Sequence, residues 1–152
     1  MEPLLSRLPD AFWTVPYVGS RFPGSASVAD RPGLAAGANC QLFAYEVLRH
    51  FDMAPPALRS SDLWEDTEAT VRVAIARPLD LLLFNATDDP YGAHIGVSVG
   101  QDAVLHLSRE VGRPAVWRLT DFAARRRYRV LIGAKRVSRA TVPGACTKTR
   151  TP

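Results

Sequence analysis

The pattern of apolar positions changes from helical to alternating near the middle of the chain. Over residues 40–51, apolar side chains recur at i, i+3, i+4, i+7, i+8 and i+11, which is the spacing of an amphipathic helix. Asn39 stands where the N-cap of that helix belongs. Shorter helices are predicted over residues 1–13 and 59–67. The segment 15–39 is rich in glycine, proline, serine and alanine, and it predicts a long loop.

Short apolar or alternating runs in the second half predict five strands. They cover residues 79–85, 94–99, 103–108, 115–119 and 128–137. Helices followed by a meander of strands are typical of an α+β domain. We therefore expect N-terminal helices packed on an antiparallel five-stranded sheet or half-barrel. A single domain should cover residues 1–138, and residues 139–152 read as a disordered tail.

Two histidines fall on the same face of this predicted sheet. Alternation places His94 on the small, polar face of its strand, opposite the aliphatic face. The neighbouring strand has His106 on the side away from its core leucines. A three-residue connection at 100–102 would set His106 opposite Gly96 and leave His94 about 7 Å away on the diagonal. Gly96 would leave open space between the two rings.

The remaining chemical candidate is Cys40, in the first turn of the predicted helix. The helix dipole and the free backbone N–H groups at that end favour thiolate over thiol. A thiol beside two imidazoles is suited to acyl transfer: Cys40 attacks a carbonyl, His94 takes and returns the proton, and His106 orients His94. The Cys40 N–H and a tyrosine hydroxyl are candidate oxyanion donors. Taken alone, Cys40 also fits a buried structural thiol, and the three side chains together also fit a zinc site.

A series of short motifs resembles the NlpC-type peptidases, which are papain-like cysteine peptidases best known for cutting peptidoglycan stem peptides. The motifs, in order, are VPYVG with Tyr17, Asn39-Cys40, PLDLLLF at 78–84, AHIGVSVG at 93–100 and VLHLS at 104–108. The resemblance implies a papain-like fold and a catalytic triad of Cys40, His94 and His106. It also implies that Tyr17, Asn39 and Gln41 contribute to the oxyanion or substrate site. Asn39 and Gln41 depart from the usual Asp and Ser, and NCQLFAYEV is also similar to the related CHAP amidases.

The function expected from these residues is a cysteine hydrolase. It would cleave an amide bond, γ-D-glutamyl or otherwise peptide-like, in a small peptide through a thioester and without a cofactor or metal. An acyltransferase or amide-forming enzyme of a small-molecule pathway is the close alternative, since water exclusion decides the fate of a thioester. A catalytically silent binding module is the alternative from another class. Arg59 and Arg109 flank the expected cleft as carboxylate ligands or as solvated surface side chains.

Composition and charge say more about the partners and the cellular location of the protein than about its chemistry. The net charge is +4 and the isoelectric point is about 9.5. The basic residues are scattered except for a cluster at 125–129, which reads as a solvated face, so no nucleic-acid partner is expected. No cysteine spacing indicates a disulfide framework. The N-terminus lacks the features of a signal peptide and no segment could span a membrane, so we expect a cytoplasmic protein.

Overall fold

The computed structural model describes residues 2–139. These residues form five α-helices, six β-strands and two short 3-10 turns. The helices are α1 Glu2–Ser6, α2 Ala26–Asp30, α3 Cys40–His50, α4 Ser60–Glu65 and α5 Leu119–Ala123, and the 3-10 turns are Asp10–Thr14 and Arg126–Tyr128. The strands are β1 Thr70–Val73, β2 Leu81–Asn85, β3 His94–Gly100, β4 Ala103–His106, β5 Ala115–Arg118 and β6 Val130–Val137. None of the helices within this range is both long and apolar enough to cross a membrane.

The strands form one antiparallel sheet in the order β1-β6-β2-β3-β4-β5. The α+β class is confirmed, and the sheet described here has six strands rather than the five expected. The additional strand is β1, a four-residue edge strand that pairs with the C-terminal half of β6, from Thr70 opposite Val137 to Val73 opposite Ala134. Such a short run, flanked by Ala69 and Ala74, gives almost no alternation signal.

Both faces of the sheet are covered, which the sequence did not indicate. Helix α3 packs on one face against Ile95 and Leu105, and its apolar stripe joins the main core. The other face carries a second apolar cluster that includes Phe122 of α5 and Tyr128. Gly96 does not open a space there, because a Cβ at this position would lie 2.5 Å from Cγ1 of Val104. Gly96 instead allows β4 to pack closely against β3.

The two histidine-bearing strands are joined by a tighter connection than expected. Gln101 and Asp102 form a two-residue turn, both with positive φ (53° and 62°), and the register shifts by one residue at Val99. A two-residue turn plus a one-residue bulge gives the same net offset as a three-residue connection. The ladder that pairs Val97 with Leu105 therefore brings His106 next to Gly96, as the sequence predicted.

The long loop that leads to α3 is folded around one buried arginine. The side chain of Arg21 is only 2% exposed. It donates to the carbonyls of Gly37 (2.6 Å), Ser27 (3.0 Å), Arg31 (2.8 Å) and Gly33 (2.8 Å), and to the Ser27 hydroxyl (3.1 Å). A guanidinium can satisfy this many acceptors because its five N–H donors form a fixed planar fork. The loop thus has an interior of its own and delivers α3 in a defined position.

Only the first residue of the predicted tail, Arg139, lies within the described residues. Arg139 forms an isolated antiparallel bridge with Met53 and donates to the Phe51 carbonyl at 3.2 Å. The remainder of that prediction, residues 140–152, lies outside the described residues.

Candidate active site

Helix α3 begins at Cys40 because Asn39 caps it. The Asn39 side-chain oxygen accepts a hydrogen bond from the Leu42 N–H at 2.8 Å, and the Asn39 side chain is 7% exposed. The following apolar side chains, Phe43 and Val47 among them, anchor the helix in the main core. Cys40 is a free thiol in the first turn and remains partly exposed. The cap and the buried stripe therefore fix the position of this thiol.

Strands β3 and β4 bring His94 and His106 into direct contact. Nε2 of His94 lies 2.9 Å from Nδ1 of His106, and the two rings are nearly perpendicular (88°). Aromatic side chains of the second cluster surround the pair: Trp117 lies 4.3 Å from His106, Phe122 lies 4.8 Å from His106, and Tyr128 lies 4.7 Å from His94, measured between ring centroids. Both imidazoles are thus held by packing as well as by the hydrogen bond between them.

A cleft of about 170 Å³ brings the thiol and the first histidine together. Cys40 and His94 both line it, and so does Tyr17. The other lining residues are Phe84, Asn85, Gly92, Ala93, Arg109, Arg127 and Tyr128. Tyr17 reaches this position because its segment forms a parallel bridge with Ala38, two residues before the thiol. Three sequence-predicted site residues therefore share one cavity, and His106 supports one of them from behind.

Burial sets the protonation states at the site. It raises the pKa of the Cys40 thiol, although the N–H groups of Ile95, Gln41 and Cys40 itself and the charge of Arg59 act in the opposite direction. Burial also lowers the pKa of His94 well below its ordinary value. The expected shift toward thiolate is therefore not what the structure supports. The resting pair is a neutral thiol and a neutral imidazole, because desolvation outweighs the helix N-terminus here.

His106 is neutral for the same reason. Burial, and secondarily the charge of Arg125, lower the pKa of His106 to about 3. Its Nε2 is buried and, among the described residues, has no hydrogen-bond partner. Because Nδ1 of His106 is engaged with Nε2 of His94, the nitrogen of His94 that remains for proton exchange with a substrate or thiol is Nδ1.

Asn39 and Gln41 occupy structural positions rather than the cleft wall. The Asn39 oxygen is used by the helix cap. The buried Gln41 amide donates to the Tyr45 hydroxyl at 2.7 Å and to the Leu58 carbonyl, which also accepts from the Tyr45 hydroxyl. This network ties α3 to the segment before α4. Neither side chain is among those that line the cleft, and we assign neither an oxyanion or substrate role.

Sequence reasoning missed Arg127, Asn85 and Tyr128 as cleft residues. Arg127 belongs to the basic cluster that was interpreted as a solvated face, yet it lines the cleft. Asn85 ends β2, and its amide donates to the carbonyls of Asp89 and Tyr91. Alternation within single strands carries no signal for these residues, since they come from strand ends and a 3-10 turn. Within residues 2–139, no group of three or more His, Cys, Asp or Glu side chains is arranged to hold a metal ion.

Comparison with solved structures places this architecture among NlpC/P60 folds. The chain is similar to the NlpC/p60 domain of the peptidoglycan hydrolase SagA, with 18% sequence identity and a TM-score of 0.51 over 79% of this chain and 90% of that one. It is also similar to a lipoprotein-like protein of the NLP/P60 family from Staphylococcus aureus, with 19% identity and a TM-score of 0.58 over 89% of this chain. That match covers 40% of the staphylococcal chain. No family profile and no curated protein matches the sequence, so the likeness concerns the fold.

Proposed function

We propose that this NlpC/P60-type fold carries a cysteine hydrolase. It cleaves an amide bond in a small peptide-like substrate, γ-D-glutamyl or similar, through a thioester intermediate. One observation carries the proposal: Cys40 and His94 line the same cleft, while the far nitrogen of His94 lies 2.9 Å from His106. One of the similar structures is a domain of a peptidoglycan hydrolase, which supports a peptide substrate of that kind.

The proposed reaction begins with a proton transfer coupled to attack. The Cys40 thiol gives its proton to Nδ1 of His94 as the sulfur bonds to the substrate carbonyl carbon. The carbonyl electron pair moves to the oxygen, and the backbone N–H of Cys40 and the hydroxyl of Tyr17 are the proposed donors to it. His94 then protonates the leaving nitrogen, the C–N bond breaks and the amine departs. The acyl group remains on Cys40 as a thioester.

Water completes the cycle by the same steps in reverse order. His94 removes a proton from water as the oxygen attacks the thioester carbon. The tetrahedral intermediate collapses, the C–S bond breaks, and the sulfur recovers a proton from His94. The carboxylic acid product leaves and the neutral pair is restored. An amine that captures the thioester in place of water would make the protein an acyltransferase.

Coupled proton transfer follows from the neutral resting pair. Because burial raises the pKa of Cys40 and lowers the pKa of His94, a separated thiolate–imidazolium pair is unfavourable before substrate arrives. Each additional pKa unit between the two groups costs about 1.4 kcal/mol. The attacking sulfur therefore gains its negative charge only as that charge passes to the substrate oxygen. Alkylation without such assistance should be slow at neutral pH.

The test is capture of the acyl-enzyme. Purified protein is incubated with γ-D-glutamyl amides and with short stem-peptide analogues, and intact-protein mass spectrometry follows the acyl adduct. We expect an adduct on wild type and on Cys146→Ser, the matched control at the second cysteine. Cys40→Ala should lose both the adduct and the turnover, and His94→Ala should lose turnover at least 100-fold.

Two outcomes would contradict the proposal. Amide cleavage that survives in Cys40→Ala would exclude a covalent role for this thiol. Absence of any adduct and any cleavage across the substrate panel would favour the binding-module alternative. Adding amine acceptors to the same reactions separates hydrolysis from transfer, because only a transferase yields the new amide as its main product.

A further inference from the structure

We propose that Arg109 and Arg127 form an anion subsite beside the Cys40 thiol. This subsite would select substrates that carry a free carboxylate near the scissile carbonyl. The substrate part of the inference rests on the proposed function; the anion subsite itself does not.

The cleft is lined by positive charge. Arg109 follows β4, and Arg127 belongs to the 3-10 turn before β6, so two separate segments each deliver one guanidinium to the same cavity. Among the described residues, the cleft lining contains no aspartate or glutamate. Burial keeps His94 neutral. The two arginines are therefore the charged groups of the cavity wall.

Among the described residues, neither Arg109 nor Arg127 has an acidic partner within 4.0 Å. In the same part of the chain, Arg49, Arg72, Arg125 and Arg136 each form an ion pair with a carboxylate. Glu110, the neighbour of Arg109 along the chain, pairs with Arg125 at 3.3 Å instead. The carboxylate nearest to Arg109 in sequence is therefore engaged by another arginine.

Arg109 lies beside the aromatic ring of Tyr17. The centre of its guanidinium is 5.8 Å from the centre of that ring. A Cβ at Gly19 would stand 3.5 Å from Nη2 of Arg109 and 3.6 Å from the Tyr17 ring. Gly19 therefore lies next to both the guanidinium and the ring. A guanidinium resting on an aromatic ring is held by cation–π attraction while its N–H groups remain available.

Carboxylate is the ligand that this arrangement fits. The guanidinium fork matches a carboxylate with two parallel hydrogen bonds, and the attraction is stronger at a partly enclosed site than in open water. A γ-linked glutamyl amide has a free α-carboxylate on the acyl side of its scissile bond. An internal α-linked peptide bond has none unless an acidic side chain supplies it. The subsite would therefore favour γ-linked or otherwise anionic acyl groups.

The first experiment needs no turnover. Cys40 is alkylated in a Cys146→Ser background with iodoacetate, which is anionic, and with iodoacetamide, which is its neutral counterpart. The measured quantity is the ratio of the two rate constants, compared under the same conditions with the ratio for N-acetylcysteinamide, a small thiol without a carboxylate. Thiol acidity affects both rates alike and cancels. We expect a ratio at least about tenfold above the reference, falling as salt is added.

Variants assign that preference to the two arginines. Arg109→Gln with Arg127→Gln should remove most of the excess over the reference ratio, and the charge of Arg59, which also acts on Cys40, accounts for what remains. Arg126→Gln removes the same charge from the same 3-10 turn but lies outside the cleft lining, and it should leave the ratio within about twofold of wild type. A wild-type ratio equal to the reference overturns the subsite. So does an elevated ratio that the double variant leaves unchanged.

The second experiment separates this inference from the proposed function. A γ-glutamyl amide with a free α-carboxylate and its α-carboxamide counterpart are compared by kcat/KM. The acid should be cleaved at least about tenfold faster than the carboxamide, and the double variant should lose that difference. Equal cleavage of both substrates, together with an alkylation ratio equal to the reference, would refute the subsite but not the hydrolase. Cleavage of neither substrate, together with a raised alkylation ratio, would refute the hydrolase but not the subsite.

Discussion

Replacing Arg21 with methionine should loosen the loop that leads to the thiol. Methionine preserves an unbranched apolar stem and removes the charge and all of the donors of a side chain that is 2% exposed. Five hydrogen bonds are lost, four of them to backbone carbonyls between residues 27 and 37. No carboxylate lies within ion-pair distance of Arg21 among the described residues. Its contribution is therefore hydrogen bonding to the loop.

The destabilisation caused by Arg21→Met depends on which of the four carbonyl acceptors can bind water once the guanidinium is gone. Hydrogen bonds from a charged donor are worth about 1.5–3 kcal/mol each, but Ser27, Arg31 and Gly33 are exposed or half-buried, so water can replace the guanidinium there. Gly37 is buried, and an unsatisfied carbonyl at such a site costs about 1–3 kcal/mol. The variant also avoids the desolvation cost of a buried guanidinium, and this offsets part of the free energy lost with the hydrogen bonds. We expect the variant to be destabilised by about 2–4 kcal/mol.

Hydrogen exchange read by mass spectrometry resolves where that loss falls. Peptides from residues 22–37 should exchange at least 10-fold faster in Arg21→Met, with Arg21→Lys in between because an ammonium has three donors. The control is Arg31→Met, an exposed side chain of the same loop. The Asn39 N–H donates to the Arg21 carbonyl at 2.9 Å, so kcat/KM should fall as well. If Arg21→Met exchanged hydrogen at the wild-type rate and melted within about 2 °C of wild type, this account of the loop would be refuted.

Three further outcomes are expected. Gly37→Ala should lower the free energy of unfolding by about 2–4 kcal/mol in a denaturant titration, because Gly37 has φ of 99° and a Cβ there would collide with Cγ2 of Val18. The pKa of His106, about 3 in the folded protein, is below its unfolded value, so the unfolded state binds more protons and stability should fall as pH drops from about 6.5 toward 3. Urea titrations at pH 7, 5 and 4 measure that fall, and His106→Phe should make it shallower; an equally steep fall in the variant would assign it elsewhere. Tyr17→Phe should lower kcat about 10-fold or more with little change in KM if its hydroxyl donates to the oxyanion, whereas a change confined to KM would count against that role.

Local pattern was sufficient for the elements that carry the site. The N-cap at Asn39 and the apolar stripe behind it define α3 from a dozen residues, and strand parity puts His94 and His106 on one face. These features depend on neighbours close in sequence. The predicted three-residue connection between the strands was wrong, since the turn has two residues. A one-residue bulge at Val99 compensates for the shorter turn. The predicted pairing register was nevertheless correct, because the leucine and valine positions of the two strands specify it independently of the turn.

What local pattern could not supply is the environment of those residues. The burial that keeps His94 and His106 neutral depends on aromatic side chains from 115–128, which pack on the second face of the sheet. Cys40 instead packs against the main core. Arg21 reads as one more surface arginine in a polar loop until its carbonyl partners are placed around it. Gln41 likewise reads as a cleft residue, since it follows the thiol directly. In each case the partners are distant in sequence or in an irregular segment, so no periodicity reveals them.

The hydrogen bond between the two histidines determines which tautomer of the pair can act as a base. His94 can accept the thiol proton on Nδ1 only when it donates its own Nε2–H to Nδ1 of His106. His106 then carries its proton on Nε2, a buried atom without a hydrogen-bond partner among the described residues. In the opposite tautomer, the Nδ1–H of His106 would donate to Nε2 of His94. His94 would then already carry its proton on Nδ1 and could not accept another there. Only the first arrangement therefore leaves His94 ready to act as a base.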